Sequence, residues 1–324
     1  MLTESDKRQL HQLNQTLTGE IKIGLTAAGH PQGQLFREFC DHLVQLVPNI
    51  KIMVEDGSTR QPPEIQIADG LRYQAIPSGL EMQPFAEALA ALDSGPLQIS
   101  ASILTGLEQN ELPATLTAFI SPHCTFCPQV IRQLIPLAMA EAGIRLIVID
   151  ATLFPELAQR HQIQSVPTIL LDEQFRWTGS VPLEEIVDAI RTRNPALLSA
   201  ASLESFLKEG QASHLAAMML DTHEIFPAFY DLLIHDKWPV RLGAMVVIEE
   251  IAGKDPALAS AAIDPLWEHF EHVPDQIKGD ILYLFGEVGD TKTIPWLQGV
   301  VAGEYDHEVK EAAREALDKI SGDW

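Results

Sequence analysis

Two of the three cysteines in this chain of 324 residues form a Cys-x-x-Cys motif, Cys124 and Cys127. An apolar segment at 116–120 precedes the motif and a helical pattern at 129–142 follows it. The motif therefore lies at a predicted strand-to-helix junction, where free N–H groups and the positive end of the helix dipole favour a thiolate. Because the thiolate is the nucleophile in disulfide exchange, we predict Cys124 as the attacking thiol and Cys127 as the resolving thiol.

Two other interpretations of the motif are a structural zinc site and a pair of inert buried thiols. A structural zinc ion takes four ligands. The sequence has no second Cys-x-x-Cys, Cys40 stands alone, and the neighbouring His123 cannot complete a site by itself. The strand–helix–strand context of the motif favours the redox interpretation.

A second signal lies forty residues further on, where Val166-Pro167 opens a short apolar strand. The order of predicted elements around it is a strand, the Cys-x-x-Cys helix, a strand, a helix, a proline-led hairpin and a last helix. In this order and in its motif, the segment 112–193 resembles the thioredoxin/glutaredoxin superfamily. The predicted elements after the motif helix are a strand at 144–150, a helix at 154–160, strands ending at 172 and covering 175–178, and a helix at 183–190.

The resemblance implies that Pro167 is cis and lies beside the disulfide. An X-Pro bond is the place where a cis peptide costs little. The backbone of Val166 would then be left to pair with an extended segment of a substrate. The alternative is an ordinary trans proline that opens a strand.

The first 110 residues carry a fainter copy of this pattern. Its Cys-x-x-Cys position falls on Gly29-His-Pro-Gln32, which has no sulfur at either end. The connection between Asp56 and Pro62 is too short for the helix found at 154–160. We predict a degenerate, redox-silent thioredoxin fold ahead of an active one. The matching segments are 21–26 with 116–121, 49–56 with 143–150, 62–69 with 166–173, and 71–73 with 175–177.

Two such folds in tandem resemble protein disulfide oxidoreductases, and even more the N-terminal domain of the flavoprotein component of alkyl hydroperoxide reductase. The chain departs from the wider thioredoxin pattern in two ways: no Trp precedes Cys124, and no carboxylate is evident in 116–120. It also has no Gly-x-Gly-x-x-Gly and too few further residues for two dinucleotide-binding domains. We therefore expect no cofactor beyond the cysteine pair, with electrons from a separate reductase.

After residue 195 the chain is helical in pattern and repeats itself every 30–38 residues. A proline-led helix alternates with a helix that opens on an apolar–basic pair. Asp236, Asp275 and Asp306 lie near the starts of the second helices, as helix caps and partners of the helix dipole would. This pattern resembles short HEAT-like repeats over 222–320, with a lead-in helical pair at 202–219. The apolar–basic pairs are Val240-Arg241, Ile277-Lys278 and Val309-Lys310.

The formal net charge is −23, of which residues 195–324 contribute −14 (23 acidic and 9 basic side chains). Such a surface repels nucleic acid and anionic membranes, so neither is expected as a partner. It suits a basic protein partner, although solubility alone would also explain it. The sequence shows neither a leader nor an apolar run of membrane-spanning length, and its cysteines form no disulfide framework. These features predict a cytoplasmic protein.

The sequence thus predicts an α/β plus all-α chain: a degenerate thioredoxin-like fold at 1–110, a redox-active one at 111–194, and an α-solenoid of HEAT-like repeats at 195–324. The predicted function is thiol–disulfide exchange with a protein disulfide or dithiol, while the repeats bind a partner. One alternative is a non-catalytic adaptor or assembly factor. Another rests on the repeats alone, which also occur in bilin lyases. The intact cysteine pair beside Pro167 favours the enzyme.

Overall fold

The computed structural model describes residues 2–27, 29–55, 61–95, 97–108, 113–141 and 143–321. The chain divides into two compact units, residues 1–193 and 194–324. The predicted boundary at 110–111 and the short connection after residue 55 lie outside the described residues. No helix in the described ranges is long and apolar enough to cross a membrane.

The first unit is built on one mixed sheet, which has eight strands in the described residues, in the order β2-β1-β3-β4-β6-β5-β7-β8. Strand β7 is buried on both faces, as expected for a sheet covered by helices on both sides. The strands are β1 (Ile21–Thr26), β2 (Ile50–Glu55), β3 (Glu64–Ala68), β4 (Leu71–Gln74), β5 (Ala114–Ile120), β6 (Ile144–Asp150), β7 (Thr168–Leu171) and β8 (Phe175–Thr178).

The two halves of this sheet share one pairing scheme. In each half the first strand pairs parallel with the second and antiparallel with the third, which pairs antiparallel with the fourth. Strands β4 and β6 then pair in parallel, with Tyr73 opposite Val148. The internal similarity between the two parts of the sequence predicts two halves with related strands. It does not predict that these halves join into one continuous sheet.

The helices of the first unit pack through apolar residues at helical spacing. Helix α2 buries Phe36, Phe39, Cys40 and Leu43 on one face. Cys40 is therefore a core side chain, and burial raises the pKa of its thiol to about 12. The helices are α1 (Glu4–Thr16), α2 (Gly33–Leu46), α3 (Met82–Ser94), α4 (Ala101–Glu108), α5 (Cys127–Ala140), α6 (Pro155–Arg160) and α7 (Leu183–Thr192).

The second unit consists of helices and connecting loops between residues 194 and 321, all of which are described. In the repeating second helix, apolar residues at helical spacing such as Ala244, Ile248, Ile281 and Phe285 are buried, whereas Leu317 and Ile320 of its last copy are only half-buried. The short helix α12 was not predicted. The helices are α8 (Ala200–Lys208), α9 (Ala212–Thr222), α10 (Tyr230–Leu233), α11 (Trp238–Ala252), α12 (Pro256–Ser260), α13 (Ile263–Phe270), α14 (Asp275–Val288), α15 (Ile294–Ala302) and α16 (His307–Ser321).

The predicted capping role is wrong for two of the three aspartates. Lys237 is the N-cap of α11 and Pro274 is the N-cap of α14, so neither Asp236 nor Asp275 occupies a capping position. Asp275 is the first residue of α14, where its carboxylate still interacts favourably with the helix dipole.

The basic member of the first apolar–basic pair has a structural role in the second unit. Arg241 is 1% exposed. It donates to Oδ2 of Asp280 on α14 at 2.6 Å and to the carbonyl oxygens of His235 and Asp236. It therefore links α11 to α14 and holds the loop that precedes α11.

Candidate functional site

The cysteine motif connects β5 to α5. Strand β5 ends at Ile120, and α5 begins at Cys127, two residues before the predicted helical pattern. Cys124 and Cys127 form a disulfide, with Cα atoms 5.5 Å apart. Cys127 is fully buried, whereas Cys124 is half-buried. Only Cys124 therefore offers its sulfur to a large molecule.

The backbone around Cys124 favours a negative charge on its sulfur. The N–H of Cys127 donates to Sγ of Cys124 at 3.0 Å. This group belongs to the first turn of α5, which contains no acidic residue. A donor at this distance and the helix dipole both stabilise the thiolate over the thiol.

Val166 and Pro167 lie directly beside the disulfide. The Val166–Pro167 peptide bond is cis, as the resemblance implied. Sγ of Cys124 is 3.6 Å from the carbonyl oxygen of Val166. The structure thus brings together the four predicted site residues, while the substrate-binding role of Val166 and Pro167 stays a prediction.

The loop that leads into Pro167 is held by β7 and β8. Arg176 on β8 is 7% exposed and donates to the carbonyl oxygens of His161 and Gln162. The hydroxyl of Thr168 donates to the carbonyl oxygen of Ser165 at 2.8 Å. Sequence reasoning missed Arg176, although a charged residue between two aromatic residues of a short strand could have drawn attention to it.

Sequence reasoning also missed Glu81, a buried carboxyl group close to the motif helix. Glu81 ends the 3-10 turn Gly79–Glu81, which packs against α5, and it is 4% exposed. Among the described residues, neither of its carboxylate oxygens has a hydrogen-bond partner. Burial, and then the charge of Asp150, raises its pKa to about 7, against the opposing effect of Arg132. Such a carboxyl group can gain or lose a proton near neutral pH.

The surface next to Cys124 is open and partly apolar. Phe126 is 68% exposed, and Pro122, His123 and Thr125 are also exposed. A large exposed aromatic side chain between the two cysteines is available for apolar contact with another molecule.

The corresponding position in the first half carries no chemistry of this kind. Gly29 adopts a positive φ of 72°, and Nδ1 of His30 accepts from the backbone N–H of Gln32 at 3.1 Å. The His30 ring lies 5.8 Å from the ring of Phe154, so this loop packs on the other half of the unit. Within the described ranges, the His, Cys, Asp and Glu side chains form no group of three that could hold a metal ion.

Comparisons with known proteins agree with this fold. A family model of the thioredoxin domain matches residues 116–192. The alkyl hydroperoxide reductase protein AhpF of Pseudomonas putida is 29% identical over 199 residues, which cover 59% of this chain and 38% of that protein. The chain therefore spans about two fifths of the length of this curated relative.

Two solved structures share the fold. The crystal structure of the NTD_N/C domain of alkylhydroperoxide reductase AhpF from Enterococcus faecalis has a TM-score of 0.51 and 24% identity, and the match covers 59% of this chain and 100% of that one. A protein disulfide oxidoreductase from Aeropyrum pernix has a TM-score of 0.53 and 16% identity, with 60% and 94% covered.

The chain therefore carries a thioredoxin-fold domain of the disulfide oxidoreductase type, related to the N-terminal domain of AhpF and followed by a helical region. The Cys124–Cys127 pair lies in this domain. The curated relative is a reductase, which supports a redox enzyme in general terms.

The prediction of no cofactor beyond the cysteine pair is contradicted by this relationship. Three of the curated relatives are AhpF proteins, the flavoprotein component of alkyl hydroperoxide reductase, so a flavin belongs to the reaction of those proteins. A flavin and its nicotinamide donor bind at a glycine-rich turn between a strand and a helix. Residues 194–321 form only helices and loops, and the β5–α5 turn holds the cysteine pair instead. The described residues of the helical unit and of the β5–α5 turn thus do not fit a flavin.

Proposed function

We propose that this chain is a thiol–disulfide oxidoreductase that acts on protein disulfides through Cys124 and Cys127. The observation that carries the proposal is the asymmetry of the pair. Cys124 is half-buried and accepts a hydrogen bond from the N–H of Cys127, while Cys127 is fully buried in the first turn of α5. An accessible thiolate with a resolving thiol behind it is what two-step exchange requires.

In the first step the Cys124 thiolate attacks one sulfur of a substrate disulfide. The substrate S–S bond breaks, a mixed disulfide forms on Cys124, and the released substrate thiolate takes up a proton. In the second step Cys127 loses its proton and attacks Sγ of Cys124, so the second substrate thiolate leaves. The substrate gains two electrons and two protons, and the pair is oxidised. A separate reductase returns two electrons and two protons to the pair.

Glu81 supplies the proton acceptor for the second step. Cys127 is fully buried, so its proton has no direct path to water. Glu81 lies on the turn that packs against α5, and its pKa of about 7 lets it accept a proton near neutral pH. In this account the first half of the unit is a degenerate thioredoxin fold that has no cysteine motif but contributes this carboxyl group.

The substrate contacts the backbone of Val166, next to Pro167, and the exposed ring of Phe126. The carbonyl oxygen of Val166 lies 3.6 Å from the reactive sulfur. An extended substrate segment placed along this backbone brings its disulfide to Cys124. The loop is held in place by Arg176, which gives the substrate a fixed surface.

The helical unit is a HEAT-like arm that binds a partner protein. Its charge of −14 favours a basic partner. The chain works in a reducing compartment, the cytoplasm, where a separate reductase keeps the pair supplied with electrons.

The proposal is tested by insulin reduction with wild type, Cys124→Ser, Cys127→Ser and Cys40→Ser. We expect both motif variants to lose turnover and Cys40→Ser to keep it, because Cys40 is buried and its thiol pKa is raised to about 12. Full turnover in the Cys124→Ser/Cys127→Ser double variant would assign the activity elsewhere. No turnover in the folded wild type, whatever the reductant, would favour the adaptor alternative.

A further inference from the structure

Helices α14 and α16 lie side by side in the helical unit and leave a groove between them, here named the α14–α16 groove. At its first end a cavity of about 540 Å³ is lined by the starts of both helices, including Gly279 and Val309. Further along, a cavity of about 650 Å³ is lined by later residues of the same helices, including Tyr283, Gly286 and Ala316. The two helices therefore run in the same direction, and the groove follows the length of both.

Small residues, among them two glycines of α14, form part of the groove lining. A Cβ atom on Gly286 would lie 3.1 Å from Cα of Ala316, so Gly286 lets the two helices approach each other. Gly279 is different, because nothing lies within 4 Å of the position of its missing Cβ atom. A glycine inside a helix costs about 1 kcal/mol relative to alanine. No neighbour within this chain explains why position 279 is a glycine. A molecule bound in the groove would explain it, because that molecule would occupy the space of a side chain.

The rim of the groove is acidic. Asp275, Asp306 and Glu308 line its first end, and Glu287 and Glu315 line the part further along. Two of these carboxylates already pair with lysines of this chain: Lys319 forms an ion pair with Glu287, and Lys278 forms one with Asp275. The charges that remain favour a cationic occupant.

The same face of the unit continues as exposed apolar surface on α11. Trp238, Leu242 and Val246 follow each other at a spacing of four residues and are 49%, 39% and 43% exposed. Glu249 belongs to the same stripe and accepts a hydrogen bond from the Tyr283 hydroxyl at 2.8 Å. A long groove beside an apolar stripe has the dimensions of a protein segment and exceeds those of a small molecule.

We propose that the α14–α16 groove binds a helical segment of a partner protein that presents small and apolar side chains on one face and Lys or Arg on its flanks. Helix α14 has 14 residues. At 1.5 Å per residue this gives a groove of about 21 Å, which matches a helix of about four turns. A third helix packs closely only where the floor lacks large side chains, as it does at Gly279. The inference rests on the docking part of the proposed function and is independent of the exchange chemistry.

The test uses the full chain and a fluorescein-labelled peptide of leucine and lysine, equal in length to α14, with its leucines on one helical face. We expect the peptide to bind with a stoichiometry of one and Gly279→Leu to weaken binding by about tenfold or more. The position of the missing Cβ atom has no neighbour within 4 Å, and leucine is a better helix former than glycine, so we expect the variant to fold, as circular dichroism will check.

The matched control is Gly299→Leu. Gly299 is an exposed glycine of α15, it also has nothing within 4 Å of its Cβ position, and it does not line the groove. We expect this control to bind the peptide like wild type, and a peptide with glutamate in place of lysine not to bind. Binding of Gly279→Leu equal to wild type, equal binding of the glutamate peptide, or no binding of the lysine peptide would each overturn the proposal. Insulin reduction, measured in parallel, reports on the exchange chemistry alone.

Discussion

At the scale of single residues, the proposed site combines two side chains from the motif with one from the half of the sheet that has no motif. Glu81 lies about forty residues before Cys124 in the sequence, yet its turn packs against α5. The motif could be predicted because its chemistry is encoded in adjacent residues. Glu81 could not, because its burial and its raised pKa arise only when β4 and β6 pair and bring the two halves together.

We predict that Glu81→Gln slows insulin reduction on the order of a hundredfold at neutral pH, as expected for loss of a general base. The wild-type rate should rise with pH through about 7, the pKa of Glu81. The variant should lose that part of the pH profile. An unchanged rate with an unchanged pH profile would remove Glu81 from the proton path.

The same substitution should stabilise the fold above neutral pH. The pKa of Glu81 is raised in the folded state from 4.5 to about 7, so its favourable contribution is present below the unfolded value and is lost as pH rises through the folded value. Because Gln imitates the neutral carboxyl group, Glu81→Gln and wild type should unfold alike near pH 4.5. At pH 8 the variant should be more stable by about 3 kcal/mol, measured by urea unfolding. Equal stability at pH 8 would show that Glu81 is not buried as described.

In the reduced protein we predict that alkylation at mildly acidic pH labels Cys124 first. Cys124 is half-buried and its sulfur accepts a hydrogen bond from the N–H of Cys127, whereas Cys127 and Cys40 are buried. Mass spectrometry after brief iodoacetamide treatment identifies the labelled residue. Faster labelling of Cys127 or Cys40 would contradict the assignment of the attacking thiol.

At the scale of secondary-structure elements, local patterns predicted the order of strands and helices around the motif. The period-2 and 3.6-residue patterns of the chain specify that order. They do not specify which elements pair across the molecule, so the β4–β6 pairing was missed. The predicted capping role of Asp236 and Asp275 was wrong because each helix starts one residue away from the position that capping requires. The sequence pattern does not fix a helix start to within one residue.

The loop before Pro167 gives a prediction with a matched control. Arg176→Met should lower the rate of insulin reduction several-fold, mainly through a higher KM, because the carbonyl oxygens of His161 and Gln162 lose their donor. Arg72 occupies the corresponding position on β4 and forms an ion pair with Glu64. Arg72→Met should leave KM unchanged. Equal KM values for both variants would mean that Arg176 has only a structural role.

At the scale of the whole molecule, the two units divide the proposed work. Residues 1–193 form a compact unit that contains the cysteine pair, Val166, Pro167 and Glu81. Residues 194–324 contain no cysteine and carry most of the negative charge. The helices of the second unit could be predicted from the repeating pattern, but the groove could not, because it depends on how closely α14 and α16 pack.

We therefore predict that a chain cut after residue 193 reduces insulin at nearly the rate of the full chain. It should lose binding of the leucine–lysine peptide, and added salt should weaken that binding in the full chain. The measurement is the rate of insulin reduction by the truncated and the full-length chain. Circular dichroism confirms that both are folded. A folded truncated chain without insulin turnover would show that the helical unit takes part in the exchange site.

The most direct test of the central claim is a redox titration of the full chain in glutathione buffers, with each cysteine quantified by alkylation and mass spectrometry. We predict one two-electron transition, in which Cys124 and Cys127 change together while Cys40 stays a thiol at every ratio. In Cys127→Ser, glutathione should remain bound to Cys124 as a mixed disulfide. If the pair shows no transition, or if glutathione accumulates on Cys40 instead of Cys124, the account of exchange through Cys124 and Cys127 is wrong.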